Sequence, residues 1–85
     1  MRKVIAVFNN RNQTMQFASF LKRMGVYCKT ISTPRELSVS CGLSVEFEFR
    51  NLDKAKYVLK GYSFAGFKGF YRIEDNGYCK KYVLI

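Results

Sequence analysis

Leu43-Ser44-Val45-Glu46-Phe47-Glu48-Phe49-Arg50 is the stretch from which the fold is read. Apolar and polar residues alternate without a break, the pattern of a strand with one buried and one wet face. Downstream, Asn51 has capping chemistry and Asp53 suits a first helical turn. Leu52, Ala55, Val58, Leu59 and Tyr62 then share one face of a helix predicted over Leu52–Tyr62. Gly61 to Gly66 ends it, and Phe67–Glu74 reads as a strand. Asp75-Asn76-Gly77 carries a hairpin signal, with Tyr78–Ile85 as the returning strand.

Upstream, Thr33-Pro34-Arg35-Glu36 combines a capping hydroxyl, a proline suited to a first helical position and a capping-box glutamate. It predicts one short helical turn before Ser38. Val26–Ser32 is rich in residues that favour extended backbone. Before it, Thr14, Phe17, Ala18 and Leu21 recur at helical spacing between a capping Asn10 and the helix-ending Gly25, predicting a helix over Arg11–Met24. Lys3–Phe8 is a strand with apolar residues on both faces, suited to the middle of a sheet. The order is βαββαβ with an added C-terminal strand. The expected class is α+β, a ferredoxin-like two-layer sandwich with both helices on one face of an antiparallel sheet. Its core should include Val7, Phe17, Leu21, Val45, Phe47, Val58 and Leu59, with Met15 and Met24 as filler.

Eighty-five residues allow one domain, spanning residues 1–85, that buries roughly 60–65% of its unfolded surface. Apolar residues make up 48% and aromatics 16%, which excludes a disordered chain. No apolar run approaches the ~18 residues of a membrane span, and Val4–Phe8 is too short for a signal peptide. The expected partners therefore include no membrane. The net charge of +9 favours anionic partners. The positive residues are scattered, so a merely solubilising surface accounts for them equally well.

Histidine is absent, which removes the commonest general base and the commonest transition-metal ligand together. Cys28, Cys41 and Cys79 show no CxxC spacing, so neither a metal site nor a bound cofactor is expected. An odd cysteine count without a leader points to reduced thiols in a cytoplasm. Glu46 and Glu48 share one strand face, where pairing with Lys or Arg of neighbouring strands is the plainer role than catalysis. Cys41 alone lies in a loop context. Ser38 and Ser40 flank it, Gly42 gives the backbone freedom, and Arg35 stands six residues upstream. Hydroxyls, loop amides and a cation are the groups that stabilise a thiolate or a persulfide anion. The alternative is a small residue packed at the start of a strand.

Thr33-Pro34-Arg35-Glu36-Leu37-Ser38-Val39-Ser40-Cys41-Gly42-Leu43-Ser44-Val45 resembles the TPRxxSxSCGxxx stretch of a small bacterial family, the selenium/sulfur carrier protein-like family. Gly69-Phe70-Tyr71-Arg72-Ile73-Glu74 resembles that family's closing GxYRxE-like strand. The likeness covers about Val4 to Glu74. It implies a carrier rather than a turnover enzyme. Cys41 would hold sulfur or selenium, and Arg35, Ser38, Ser40 and Gly42 would form the surrounding motif. The implied partners are a donor enzyme and an acceptor protein. The hairpin with Cys79 departs from the shorter family pattern.

Two other classes stay open beside this one. Net charge, aromatics and a ferredoxin-like sheet are ingredients of a nucleic-acid surface, and Lys68-Gly69-Phe70-Tyr71-Arg72-Ile73 echoes an RNA-binding signature. That signature belongs on a third strand, however, whereas this segment reads as a fourth. A regulatory or oligomerisation module is the other class. A homodimer is expected through the sheet face without helices or through an edge strand that includes the added hairpin.

Overall fold

A computed structural model describes residues 2–37, 42–62, 64–75 and 77–85. Its regular elements are β1 (Lys3–Phe8), α1 (Arg11–Arg23), β2 (Cys28–Ser32), β3 (Leu43–Glu48), α2 (Leu52–Gly61), β4 (Phe67–Asp75) and β5 (Lys80–Leu84). Short 3₁₀ turns lie at Arg35–Leu37 and Phe49–Asn51. The fold is α+β: two helices and a five-stranded sheet of order β2-β3-β1-β4-β5, in which every neighbouring pair is antiparallel.

The apolar pattern of β1 has a direct cause. The strand is central, and Val4, Ile5, Ala6, Val7 and Phe8 are all wholly shielded from solvent. Val4, Ala6 and Phe8 face the helical layer, packing with Phe17, Ala18 and Leu21 of α1 and Ala55 and Val58 of α2. Phe8 is the hub of an aromatic group. Its ring lies 5.2 Å from Phe17, 5.3 Å from Phe67 and 5.7 Å from Phe64, in the tilted and edge-on geometries that aromatic pairs favour. Val7, by contrast, belongs to the opposite face, in register with Ser44 and Gly69.

Several boundaries differ from the sequence reading, each for a local reason. The alternation of β3 stops at Glu48 because Phe49–Asn51 coils into a 3₁₀ turn, tied by the Phe49 N–H to the Arg2 carbonyl at 3.0 Å. Asn51 consequently lies inside a turn, and its side chain caps nothing. Asn10 does cap α1, accepting from the Gln13 N–H at 3.2 Å. The last β4–β5 pair is Asp75 with Lys80, so Cys79 lies outside the strand, in the connection between them. There the Gly77 N–H donates to Asp75 at 2.9 Å, and Gly77 adopts φ +90°. Leu59 is only partly buried, and Met15 is half exposed on the outer side of α1.

β4 carries one irregularity. Phe8 pairs with Phe67 and Val7 with Gly69, leaving Lys68 as an extra residue. This bulge brings both Phe67 and Phe70 to the helical side, their rings 4.9 Å apart.

Replacing Phe8 by Ala removes the hub ring and is expected to cost about 3–5 kcal/mol, a large share of the ~4–13 kcal/mol that a domain of this size commands. Met15→Ala, on the exposed side of α1, should stay within about 0.5 kcal/mol of the parent. Urea unfolding of the two variants checks the contrast.

Candidate functional site

Three connections meet at one end of the sheet: β1 to α1, β2 to β3 and α2 to β4. The middle one carries the Thr33–Gly42 stretch. Its base is built from three interactions. The Thr33 N–H donates to the Gly42 carbonyl at 2.9 Å, closing the loop. The Thr33 and Ser44 hydroxyls share a 2.6 Å hydrogen bond, and Ser44 is wholly buried. The buried Thr14 hydroxyl of α1 donates to the Asn10 carbonyl at 3.1 Å and lies 3.4 Å from that of Leu43. The first helix and both strands thus fix where the loop leaves the sheet.

Pro34 opens the 3₁₀ turn at Arg35–Leu37, its carbonyl accepting from the Leu37 N–H at 3.1 Å. This is the short turn expected from Thr33-Pro34-Arg35-Glu36. Arg35 is exposed on it. Ser38, Ser40 and Cys41 lie outside the described residues. Gly42 is exposed and does not occupy the left-handed region. A Cβ built on it meets nothing within 4 Å among the described residues.

The other two thiols differ sharply from each other. Cys28 opens β2, is buried, and points its thiol to the Ala18 carbonyl at 3.5 Å. Burial pushes its pKa up, offset only in part by the nearby Lys22 ammonium. Such a thiol is a poor nucleophile. Cys79 is exposed rather than set in a strand, in the connection at the far end of the sheet. Following the register from Gly42 down β3 and across to Asp75–Lys80 gives roughly 26 Å along the strands at ~3.3 Å per residue.

The sheet face away from the helices divides across its strands. On its β4–β5 side lie Tyr71, Ile73, Tyr82 and Leu84, with Leu84 close over Gly69. On its β2–β3 side, Glu46 sits between Lys3 at 3.8 Å and Lys29 at 3.6 Å. Glu48 pairs with Arg50 at 3.2 Å. Glu46 therefore has the cross-strand pairing expected of it, whereas Glu48 pairs within its own segment, with Arg50 of the following 3₁₀ turn. Toward the Cys79 end this face opens into a groove of about 810 Å³ whose lining includes Arg2, Lys3, Lys29, Ile73 and Lys80. Sequence reasoning did not find this groove, because its residues come from all five strands and from Arg2 ahead of the first. Among the described residues, no three His, Cys, Asp or Glu side chains gather to hold a metal ion, and no helix is long and apolar enough to cross a membrane.

A family model described as "Putative Se/S carrier protein-like" matches residues 3–72. The chain belongs to this family. The matched span runs from β1 into β4 and includes the whole Thr33–Gly42 stretch. Cys28 and Cys41 fall inside it, whereas Cys79 and β5 lie beyond it. No curated protein and no solved structure matches the chain.

The shared hydroxyl pair at the base of the carrier-family loop can be tested by a double-mutant cycle. Thr33→Val leaves the buried Ser44 hydroxyl without its partner and should cost about 1–3 kcal/mol, while the Thr33→Val/Ser44→Ala pair should recover part of that loss. Cys28 gives a pH signature. The unfolded thiol ionises in the ordinary range and the folded one only above it. Its contribution to stability is therefore full below that range and is lost as pH rises through the raised folded value. Urea titrations of the parent and Cys28→Ala should diverge less at alkaline pH than at neutral pH.

Proposed function

We propose that this protein is a sulfur or selenium carrier that loads on Cys41. The observation that carries the reading is an elimination among three thiols within a Se/S carrier family. Cys28 is buried and hydrogen-bonded, and Cys79 lies beyond the matched span. Cys41 stands next to Gly42, whose carbonyl closes a loop anchored to two strands and a helix. The fold is of the ferredoxin-like class, extended by β5. The strand order supports this: β1 lies between β3 and β4, and β3 lies between β1 and β2.

In this mechanism the Cys41 thiolate attacks the terminal sulfur of a persulfide on the donor enzyme. A bond forms between Cys41 Sγ and that sulfur, the donor's S–S bond breaks, and the donor cysteine leaves as a thiolate that takes up a proton. No net oxidation or reduction occurs. An acceptor nucleophile then repeats the displacement on loaded Cys41. Selenium follows the same course when the donor holds it as the outer atom of a selenopersulfide, the donor's S–Se bond breaking as the Cys41 S–Se bond forms. Exchange of this kind requires an accessible thiolate and a docking surface rather than an enclosed cavity. Arg35, with Ser38 and Ser40, serves to favour the anion at Cys41, and the free thiols of a reducing cytoplasm suit the chemistry. Nucleic-acid binding is the weaker reading, because β3 sets Glu46 and Glu48 on the uncovered face.

Incubation with a cysteine desulfurase and cysteine, followed by peptide mass spectrometry, tests the assignment. Cys41→Ala should lose all loading while its thermal midpoint stays near that of the parent, since the substitution removes only a small group. Cys79→Ala should load like the parent. Arg35→Ala should load more slowly. Normal loading of Cys41→Ala defeats the proposal. Since bridged cysteines need Cα atoms within about 7 Å, oxidation should give no disulfide between Cys41 and Cys79 inside one chain.

A further inference from the structure

We infer that the groove on the uncovered sheet face is a docking site for an extended acidic segment of a partner protein, one that also presents an apolar side chain. The groove's cations are Arg2, Lys3, Lys29, Lys80 and, at its border, Arg72, set against Glu46, Glu74 and Asp75. That leaves five positive and three negative groups, a surplus of two. The ion pairs are unevenly spread. Glu46 is shared by Lys3 and Lys29, and Arg72 takes Glu74 at 2.5 Å. Asp75 is engaged by the Gly77 N–H. Arg2 and Lys80 have no ion pair among the described residues, so the groove keeps two cations for an incoming carboxylate.

Charge is one half of the recognition. The other half is the apolar strip beside the groove. Ile73 lines the groove itself and pairs with Tyr82, while Tyr71 pairs with Leu84, which is 62% exposed. Tyr82 and Leu84 belong to β5, beyond the family-matched span, and so does Lys80. The C-terminal hairpin thus supplies both a cation and the apolar strip. A segment with spaced carboxylates and one apolar residue satisfies both halves. A continuous phosphate backbone would meet the groove's own carboxylates, Glu46, Glu74 and Asp75, and be repelled by them. A second copy of this chain, at +9, would bring like charge against like.

The inference rests on the carrier reading only for the identity of the partner, since binding at the groove does not involve Cys41. The probe is a synthetic ten-residue peptide alternating glutamate with valine and leucine, titrated into ¹⁵N-labelled protein at low salt. Amide shifts should concentrate at Lys3, Lys29, Ile73 and Tyr82, and should weaken as salt is raised. The Arg2→Glu/Lys80→Glu variant should bind at least tenfold more weakly, with an unchanged thermal midpoint. Cys41→Ala should bind like the parent, so failure of the carrier chemistry leaves this result standing. The inference is overturned by shifts on the helical face, by no shift at ~1 mM peptide, where even a weak site is occupied, or by charge reversal without effect. Tighter binding of oligouridylate at the same face overturns it in favour of nucleic acid, and a doubling of mass lost on Leu84→Asp overturns it in favour of a second copy.

Discussion

Exclusion of water from both faces of β1 is the constraint on which the rest of the molecule depends. A chain of this size has a thin core, yet five consecutive residues of one strand are fully shielded. On one side, helices do this through the Phe8 aromatic group. On the other side no helix is available. There Ile5 lies between Glu46 and Tyr71 in the sheet, and Val7 lies between Ser44 and Gly69, with the Leu84 side chain over Gly69. This explains why Ser44 is buried although it occupies a position that would otherwise be wet. It also explains why the Ser44 hydroxyl needs Thr33. The same requirement for shielding therefore determines the base of the cysteine-bearing loop.

Most of the fold was legible in local patterns. The strict alternation of residues 43–48, the Asn10 cap and the Thr33–Glu36 turn signal each have a cause within a few residues of the chain, and each is realised. The departures involve longer-range ties. Phe49 coils because its N–H reaches Arg2, forty-seven positions earlier, which periodicity cannot register. Met15 fits a helical apolar pattern but points outward, because α1 needs only the stripe of Thr14, Phe17, Ala18 and Leu21 to cover the sheet.

The candidate site was legible in a different sense. The sequence singled out Cys41 by its neighbours, and the family match covers that stretch, but its loop anchors were not visible in advance. Thr14 was read only as one position of a helix stripe, and Ser44 only as the polar half of an alternation. Ser44 acts through a hydroxyl shared with Thr33, and the Thr14 hydroxyl, bonded to its own helix cap at Asn10, also reaches the Leu43 carbonyl on β3. The one clue in the sequence was chemical: a threonine on the inner face of a helix must find an acceptor, here the Asn10 carbonyl one turn back, with that of Leu43 at the start of β3 in reach.

The exposed thiol at the far end of the sheet has a consequence for life under oxidising stress. Two copies joined through Cys79 would be linked at their β4–β5 connections, the ends of the strands opposite Gly42. Covalent pairing of this kind occupies the groove end of each molecule and spares the loop end. A bond made at Cys79 would leave the Thr33–Gly42 and Thr33–Ser44 contacts at the other end of the sheet untouched.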